Sequence, residues 1–363
     1  MGEGALRQIG ETIANFRPGK ILLVLGKSSF RRSPHYRGLA EGLRNFDVLE
    51  SPAVEPNPTV AFVEEALGEL KSARCGLVIG VGGGSVLDFA KTAAAYLAQD
   101  GGTLAQYAEG RKEFQRPPLP LIAVPTTAGT GSEVTPYASL QTADKMKTSL
   151  EHTALFPSVA LIDPELTHSM SAYVTACTGL DALCQAVESY WSVRNTPFSQ
   201  THSLQAIALV LENLETAVRE PGNAAARFAM ALGSSEAGLA IAQTRTTAVH
   251  AVSYPLTSYF GIPHGHACAV TLASFIRYNA SVLNGSRGAL LWVAMAAETA
   301  QDAALKVERL MQNVGLERSL SKLGLNKSGI ETVVQNGFRP DRVKNNPREL
   351  KQEELREMLL EIF

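Results

Sequence analysis

The sequence predicts an α/β domain on a Rossmann-like parallel sheet, followed by an all-helical domain. Short apolar runs alternate with helix-periodic stretches in the first half, strand-like runs stop near residue 165, and helical periodicity fills the rest. The runs "KILLVLG" (20–26), "CGLVIGVGGGS" (75–85), "LPLIAVPTT" (119–127) and "VALID" (159–163) read as strands buried on both faces. Between them, "TVAFVEEALGELKSA" (59–73) and "SVLDFAKTAAAYLA" (85–98) have helical periodicity. Such alternation implies a parallel sheet, because parallel neighbours need crossover connections. From about Ser169 the patterns are helical, as in "LDALCQAVESYWS", "HSLQAIALVLENLETAV", "ALGSSEAGLAIAQ", "ALLWVAMAAE" and "QEELREMLLEIF". The expected domains are 1–165 and 166–363, and clefts between domains favour ligand binding.

Composition narrows the function classes. A net charge of −2 over 363 residues, with no long basic run, argues against a nucleic-acid surface. The start "MGEGALRQIGETIANF" lacks the pattern of a secretory signal, and no apolar run reaches the roughly 20 residues that span a bilayer. Cys75, Cys177, Cys184 and Cys268 form no CxxC pair and sit in apolar surroundings. They read as buried free thiols, and the expected location is the cytoplasm.

Two glycine-rich turns carry the first chemistry. "GVGGGSVLDFAK" (80–91) places glycines between a strand end and a helix start, where backbone N–H groups meet a pyrophosphate. It lacks the usual GxGxxG placement after the first strand, so alone it reads equally as a plain turn. "VPTTAGTGSEVT" (124–135) follows another strand and gathers Thr126, Thr127, Thr130, Ser132 and Thr135 around two glycines. Small hydroxyls and backbone amides suit a nucleotide. "LGKSSFRRS" (25–33) is not a P-loop, because the leading glycine is absent. Its Gly26, Lys27, Ser28, Ser29, Arg31 and Arg32 include no acid to meet an adenosine 2′-hydroxyl, so NADP(H) is favoured over NAD(H). A solvated basic loop is the alternative.

In "GLDALCQAVESYW" (179–191), Leu180, Leu183, Cys184, Val187 and Trp191 form an apolar stripe. Thr178, Asp181, Gln185 and Glu188 form a polar one, most simply a solvated face. "TTAVHAVSYPLTSYFGIPHGHACAV" (246–270) concentrates His250, His264 and His266, and Pro255 with Pro263 should divide it into separate elements. Imidazoles with a carboxylate suit Zn(II) or Fe(II).

The segments "GGGSVLD", "PTTAGTGSEVTP", "ALIDPELT", "TGLDALCQAVESY" and "FGIPHGHACAV", in that order over nearly the whole chain, resemble the iron-containing (group III) alcohol dehydrogenase family. The resemblance implies an N-terminal dinucleotide-binding domain, a C-terminal helical metal and substrate domain, and an active site in the cleft. It places Gly83, Gly84, Ser85 and Asp88 at the pyrophosphate and nicotinamide end. Thr126, Thr127, Thr130 and Thr135 would line the cofactor, and Lys147 would reach its ribose or phosphate. Asp181, His250 and His264 fall on three of the family's four metal positions, and Gln185 falls on the fourth, where the family has histidine. Tyr254 replaces another active-site histidine of many members.

A glutamine carbonyl is a weaker donor than imidazole, so the implied site has reduced affinity. A metal-free site, as in some relatives of the broader superfamily, is the alternative. The implied reaction is hydride transfer between a nicotinamide and a small carbonyl or alcohol. Tyr254, His266 or water would deliver the proton. Gln185 with the 251–270 stretch looks most like the branch reducing phosphonoacetaldehyde to 2-hydroxyethylphosphonate. Arg194, Arg245 and His266 are the candidate partners of its dianion. The alternatives are a general short-chain aldehyde or diol reductase, a lyase of the dehydroquinate synthase kind, and a non-catalytic nucleotide-binding protein. A homodimer is implied by family analogy.

Overall fold

The computed structural model describes residues 1–143 and 146–363. The described chain divides into two compact units, one made of Met1–Thr127 and Ser132–Ser169, the other of Ala128–Gly131 and Met170–Phe363.

The first unit is built on a parallel sheet of β1 (Lys20–Leu25), β2 (Asp47–Glu50), β3 (Leu77–Gly82), β4 (Leu121–Pro125) and β7 (Val159–Ala160), in the order β2-β1-β3-β4-β7. β5 (Tyr137–Gln141) and β6 (Lys147–Glu151) form a separate antiparallel hairpin. The helices are α1 (Ile9–Phe16), α2 (Tyr36–Leu43), α3 (Val60–Leu70), α4 (Gly84–Leu97) and α5 (Leu104–Ala108). β1, β3 and β4 are apolar without alternation because both faces are covered. Leu22, Val24 and Val78 enter one apolar cluster, while Ile21, Leu23, Leu25, Leu77 and Ile79 enter another. α4 lies unusually close to β3. A Cβ at Gly80 would stand 2.6 Å from the Ala90 methyl, and one at Gly82 would stand 2.5 Å from the Val86 side chain. The sheet edge strand β2 and the hairpin were not expected from the sequence.

The second unit is helical: α6 (Ala172–Trp191), α7 (Pro197–Arg219), α8 (Ala224–Thr244), α9 (Ala248–Phe260), α10 (His264–Asn279), α11 (Gly285–Ala294), α12 (Ala300–Asn313), α13 (Lys327–Gly337), α14 (Pro340–Val343) and α15 (Gln352–Glu361). Among the described residues no strand follows Ala160, and no helix is long and apolar enough to cross a membrane. α6 is buried on every side from Gly179 to Trp191, as expected of a helix at the centre of a bundle.

One expectation needs correcting. Pro255 does not divide the histidine-rich segment but sits inside α9. The break comes at Gly261, which takes a left-handed conformation (φ 69°) and donates its N–H to the Thr257 carbonyl. This glycine stop, followed by Pro263, places His250 and His264 on different helices.

Candidate metal centre and cofactor edge

α6 contributes Asp181, Gln185 and Glu188; α9 contributes His250, Ser253 and Tyr254; α10 contributes His264 and Cys268. The beginning of α10 reaches α6 only because residue 265 is glycine. A Cβ there would stand 1.9 Å from the Cys177 carbonyl oxygen and 3.0 Å from the Asp181 Cβ. This close approach brings His264 and Cys268 beside Asp181.

Single donor atoms of Asp181, His250, His264 and Cys268 all lie within 4.8 Å of one another. Asp181 Oδ1 is 3.4 Å from His250 Nε2 and 3.9 Å from His264 Nε2. Asp181 Oδ1, His250 Nε2 and Gln185 Oε1 are buried and lack a hydrogen-bond partner. Orphaned buried polar atoms are costly, on the order of 1–3 kcal/mol each. A cation lying between Asp181 Oδ1 and His250 Nε2 would satisfy both. His264 opens the cluster to one side, with 26% of its side chain exposed against 4% for Asp181 and 5% for His250.

The orientation of the donors is fixed from behind. The fully buried Glu188 faces His250 Nδ1 with Oε2. Its Oε1 accepts from the Thr247 N–H (2.8 Å), the Thr247 hydroxyl (2.7 Å) and the His250 N–H (3.2 Å). A protonated Nδ1 donating to this carboxylate leaves the Nε2 lone pair aimed at Asp181. Burial opposes ionisation of Glu188, but His250 and the Thr247 hydrogen bonds outweigh it and hold the carboxyl below its ordinary range. Ser253 donates to the His250 carbonyl (2.8 Å) and lies 3.3 Å from His264 Nδ1. Gln185 Nε2 donates to Asp181 Oδ2 at 3.5 Å, on the side away from the cluster oxygen.

The segment entering α9 is locked as well. Asn345 donates to the carbonyls of Thr244 (2.7 Å) and Thr246 (3.0 Å). Between them Arg245 adopts φ 60° and ψ 178°, a conformation strained for any residue with a Cβ.

In the first unit the candidate cofactor residues collect where the parallel strands end. Gly26 follows β1, the stretch Gly83, Gly84 and Ser85 opens α4 after β3, and Thr126 and Thr127 follow β4. β1 connects outward to β2 while β3 connects to β4 on its other side, so the order reverses between β1 and β3. Ligands of open α/β sheets bind in the crevice at such a point. A Cβ at Gly83 would meet the Thr127 side chain at 3.3 Å, which leaves room for backbone contact only.

Some of the predicted contacts serve the unit's own architecture. Asp88 accepts from the Ser132 hydroxyl (2.6 Å) and the Ser139 N–H (2.9 Å), and Thr135 accepts from Lys91 (3.1 Å). Burial raises the Asp88 carboxyl above its ordinary range, against the pull of Lys91, the Ser132 and Ser139 hydrogen bonds, and Lys147, which sits opposite Gln141 in the hairpin. Gly131 (φ 59°) belongs to the second unit, where an added Cβ would stand 2.6 Å from the Gly238 Cα. The adjoining Thr130 is part of the same segment. Ser28 and Ser29 are exposed, but Lys27 already pairs with Glu55 (2.9 Å) and Arg31 with Glu50.

The family pattern described as iron-containing alcohol dehydrogenase matches residues 1–164, and that described as Fe-containing alcohol dehydrogenase family, C-terminal, matches residues 175–363. The chain belongs to the iron-containing alcohol dehydrogenase family. It is 38% identical over 319 residues to a phosphonoacetaldehyde reductase of Streptomyces viridochromogenes, covering 83% of this chain and 80% of the relative. It is 36% identical over 300 residues to long-chain-alcohol dehydrogenase 1 of Geobacillus thermodenitrificans, covering 80% and 75%. Among solved structures, a sulfoacetaldehyde reductase from Bifidobacterium kashiwanohense in complex with NAD+ superposes with a TM-score of 0.92 at 33% identity. It covers 99% of this chain and 95% of that one.

This dehydrogenase is therefore an enzyme of a family that acts on alcohols and aldehydes with NAD(P) and a divalent metal, and its donor set fits such an ion. Two sequence readings change. The polar stripe of α6 is not solvated: Asp181, Gln185 and Glu188 are 3%, 4% and 0% exposed, and Asp181 and Glu188 face the histidines. His266 is not turned into the cluster, because its Nδ1 meets the Tyr173 hydroxyl (3.2 Å) and its Nε2 the Glu317 carbonyl (2.7 Å). Burial also lowers its pKa, against the pull of Glu317.

Two residues escaped the sequence reading. Glu188 lay in sight, seven positions beyond Asp181 on the same stripe. Cys268 looked like an apolar filler and instead stands one turn beyond His264, with Sγ 4.0 Å from His264 Nε2.

Proposed function

We propose that this enzyme reduces phosphonoacetaldehyde to 2-hydroxyethylphosphonate, with NADPH as the preferred hydride donor. The observation behind metal-assisted carbonyl chemistry is the set of buried, unpartnered donor atoms on Asp181, His250 and Gln185. Asp181, Gln185, His250 and His264 are assigned as the residues that hold the ion. A divalent cation, Fe(II) or Zn(II), supplies Lewis-acid polarisation of the carbonyl, and the nicotinamide supplies hydride.

The chain's own residues do the rest. Glu188 keeps the His250 Nε2 lone pair available, and Ser253 steadies His264. Tyr254, stacked on His264 at 6.0 Å between ring centroids, is assigned to deliver the proton to the alkoxide oxygen. His266, committed to Tyr173 and Glu317, is left with a positioning role. Gly26, Ser28, Ser29, Gly83, Gly84, Ser85, Thr126 and Thr127 form the proposed dinucleotide edge. Asp88 and Thr135 brace it from beneath, and Thr130 and Lys147 complete the cofactor assignment. Preference for NADPH rests on the absence of any acid from residues 26 to 33, with Arg32 exposed and basic.

Similarity to a phosphonoacetaldehyde reductase, and to a sulfoacetaldehyde reductase, favours an acetaldehyde bearing an anionic head group. Of the candidate cations, Arg194 is exposed, while Arg245 is half-buried and held on strained backbone five residues before His250. Arg245 is the assigned partner of the dianion. Steady-state rates with phosphonoacetaldehyde, acetaldehyde and 3-hydroxypropanal, each with NADPH and NADH, test the proposal. A kcat/KM at least about tenfold higher for phosphonoacetaldehyde supports it, corresponding to about 1.4 kcal/mol. Equal values would assign the enzyme to general short-chain aldehyde reduction. Turnover without net NADPH oxidation would point to a lyase, and no turnover of any carbonyl to a binding protein.

A further inference from the structure

We propose that Cys268 is a ligand of the divalent ion, its thiolate joining Asp181, His250 and His264, with Gln185 orienting Asp181 from behind. This rests on the ion site assigned above and revises its fourth ligand, the cysteine sulfur taking the place given there to the Gln185 carbonyl.

A buried cysteine is ordinarily a small apolar filler. Cys268 is fully buried, yet its sulfur belongs to the group of donor atoms within 4.8 Å of one another, not to a purely apolar contact. Its spacing of four from His264 puts both side chains on one face of α10. Two other members of the group, Asp181 Oδ1 and His250 Nε2, are unpartnered, and both residues are more than nine-tenths buried.

The separations are those of a tetrahedral shell somewhat expanded. With metal–nitrogen and metal–oxygen bonds near 2.05 Å and a metal–sulfur bond near 2.3 Å, tetrahedral edges come to about 3.4 Å between N or O donors and about 3.6 Å from S to N. The structure has 3.4 Å for Asp181 Oδ1 to His250 Nε2, 3.9 Å for Asp181 Oδ1 to His264 Nε2 and 4.0 Å for Cys268 Sγ to His264 Nε2, with all four donor atoms within 4.8 Å of one another. Contraction by about half an ångström closes these two wider edges.

The Gln185 amide is already bonded to Asp181 Oδ2, leaving Oδ1 directed at the cluster. Binding through Cys268 releases its thiol proton to solvent, so no further reactant is needed. A shell of one thiolate, two imidazoles and one carboxylate is softer than one of nitrogen and oxygen alone, and it favours Zn(II).

X-ray absorption at the zinc edge on the full-length, zinc-loaded enzyme, with chelator competition for affinity, tests the assignment. The wild type is expected to show one sulfur at about 2.3 Å beside nitrogen and oxygen scatterers near 2.0–2.1 Å. Cys268→Ala is expected to lose that sulfur and at least about tenfold in affinity. Stoichiometric zinc with nitrogen and oxygen scatterers alone in the wild type overturns the role of Cys268 and leaves the ion site standing. Failure of the wild type to bind zinc, iron or cobalt overturns both. If Cys268→Ala does not fold, the cobalt-loaded wild type and Cys268→Ser decide. A sulfur-to-cobalt charge-transfer band present in the first and absent in the second supports the proposal, and its absence from the first refutes it.

Discussion

Replacing Glu188 by glutamine isolates what a buried carboxylate does for His250. Glu188 Oε1 accepts three hydrogen bonds, from the Thr247 N–H, the Thr247 hydroxyl and the His250 N–H, and Oε2 faces His250 Nδ1. A glutamine amide can be placed in two ways. With its NH2 toward the three donors, each is orphaned at about 1–3 kcal/mol, or on the order of 3–9 kcal/mol altogether. With its carbonyl there, the three bonds survive and the NH2 meets Nδ1. Two donors cannot face each other, so the imidazole proton moves to Nε2. The lone pair that faced Asp181 is then gone, although the ring has not moved.

The expected result for Glu188→Gln is a folded protein whose metal affinity falls about 10–100-fold, the usual effect of removing the partner that orients a ligand histidine. Chelator competition measures it, and the nitrogen shifts of His250 in a labelled sample show which tautomer is present. Glu188→Ala orphans four donors, or about 4–12 kcal/mol, comparable with the whole stability of a domain, and should not accumulate as folded protein. Wild-type metal affinity in Glu188→Gln, with Nδ1 still protonated, would refute the reasoning.

Gly265→Ala should lower the melting temperature and the metal content together. Its Cβ would stand 1.9 Å from the Cys177 carbonyl, so α10 must retreat from α6, at a cost of at least about 1–3 kcal/mol. Unchanged melting and metal content would show that the helices have slack. Lys91 gives a prediction in alkali. Burial lowers its ammonium to about 8, against the opposing pull of Asp88 and Glu133, so the folded chain sheds this proton first. Between pH 8 and 10.5 the unfolded state holds more protons at this residue, and its contribution to stability rises with pH. The stability difference between wild type and Lys91→Met, followed by denaturant unfolding over that range, should shift in favour of wild type by at most about 3 kcal/mol. A flat difference would mean that Lys91 titrates normally.

What the sequence disclosed follows from how each feature is encoded. β1, β3 and β4 were legible because strands buried on both faces are continuous apolar runs. β2 was not, because "DVLE" is a short edge strand with half-buried and exposed positions. The hairpin β5–β6 escaped for a similar reason: its partly exposed strands include Ser, Thr, Gln and Lys, with few apolar side chains inward. Asp181, His250 and His264 were legible as residue types suited to a metal. The proximity of Cys268 was hidden because it depends on Gly265 letting two helices touch. A glycine in a sequence says that close approach is allowed, not which backbone comes close.

The same logic bears on Gln185. Read along α6, it is a weak ligand in place of a strong one, and the site looks impaired. Read across the bundle, its amide N–H restrains one Asp181 oxygen while a cysteine sulfur stands among the donors that meet the other. A loss judged along one helix is offset only if a donor on another helix reaches the same point, and α10 brings one there. The change at 185 and the thiol at 268 should therefore be coupled. If Cys268 is a ligand, removing it should weaken metal binding more in the native Gln185 background than in Gln185→His, where a fourth nitrogen is available. Equal losses in the two backgrounds, within the few tenths of a kcal/mol expected of independent sites, would mean that the two residues do not share the ion.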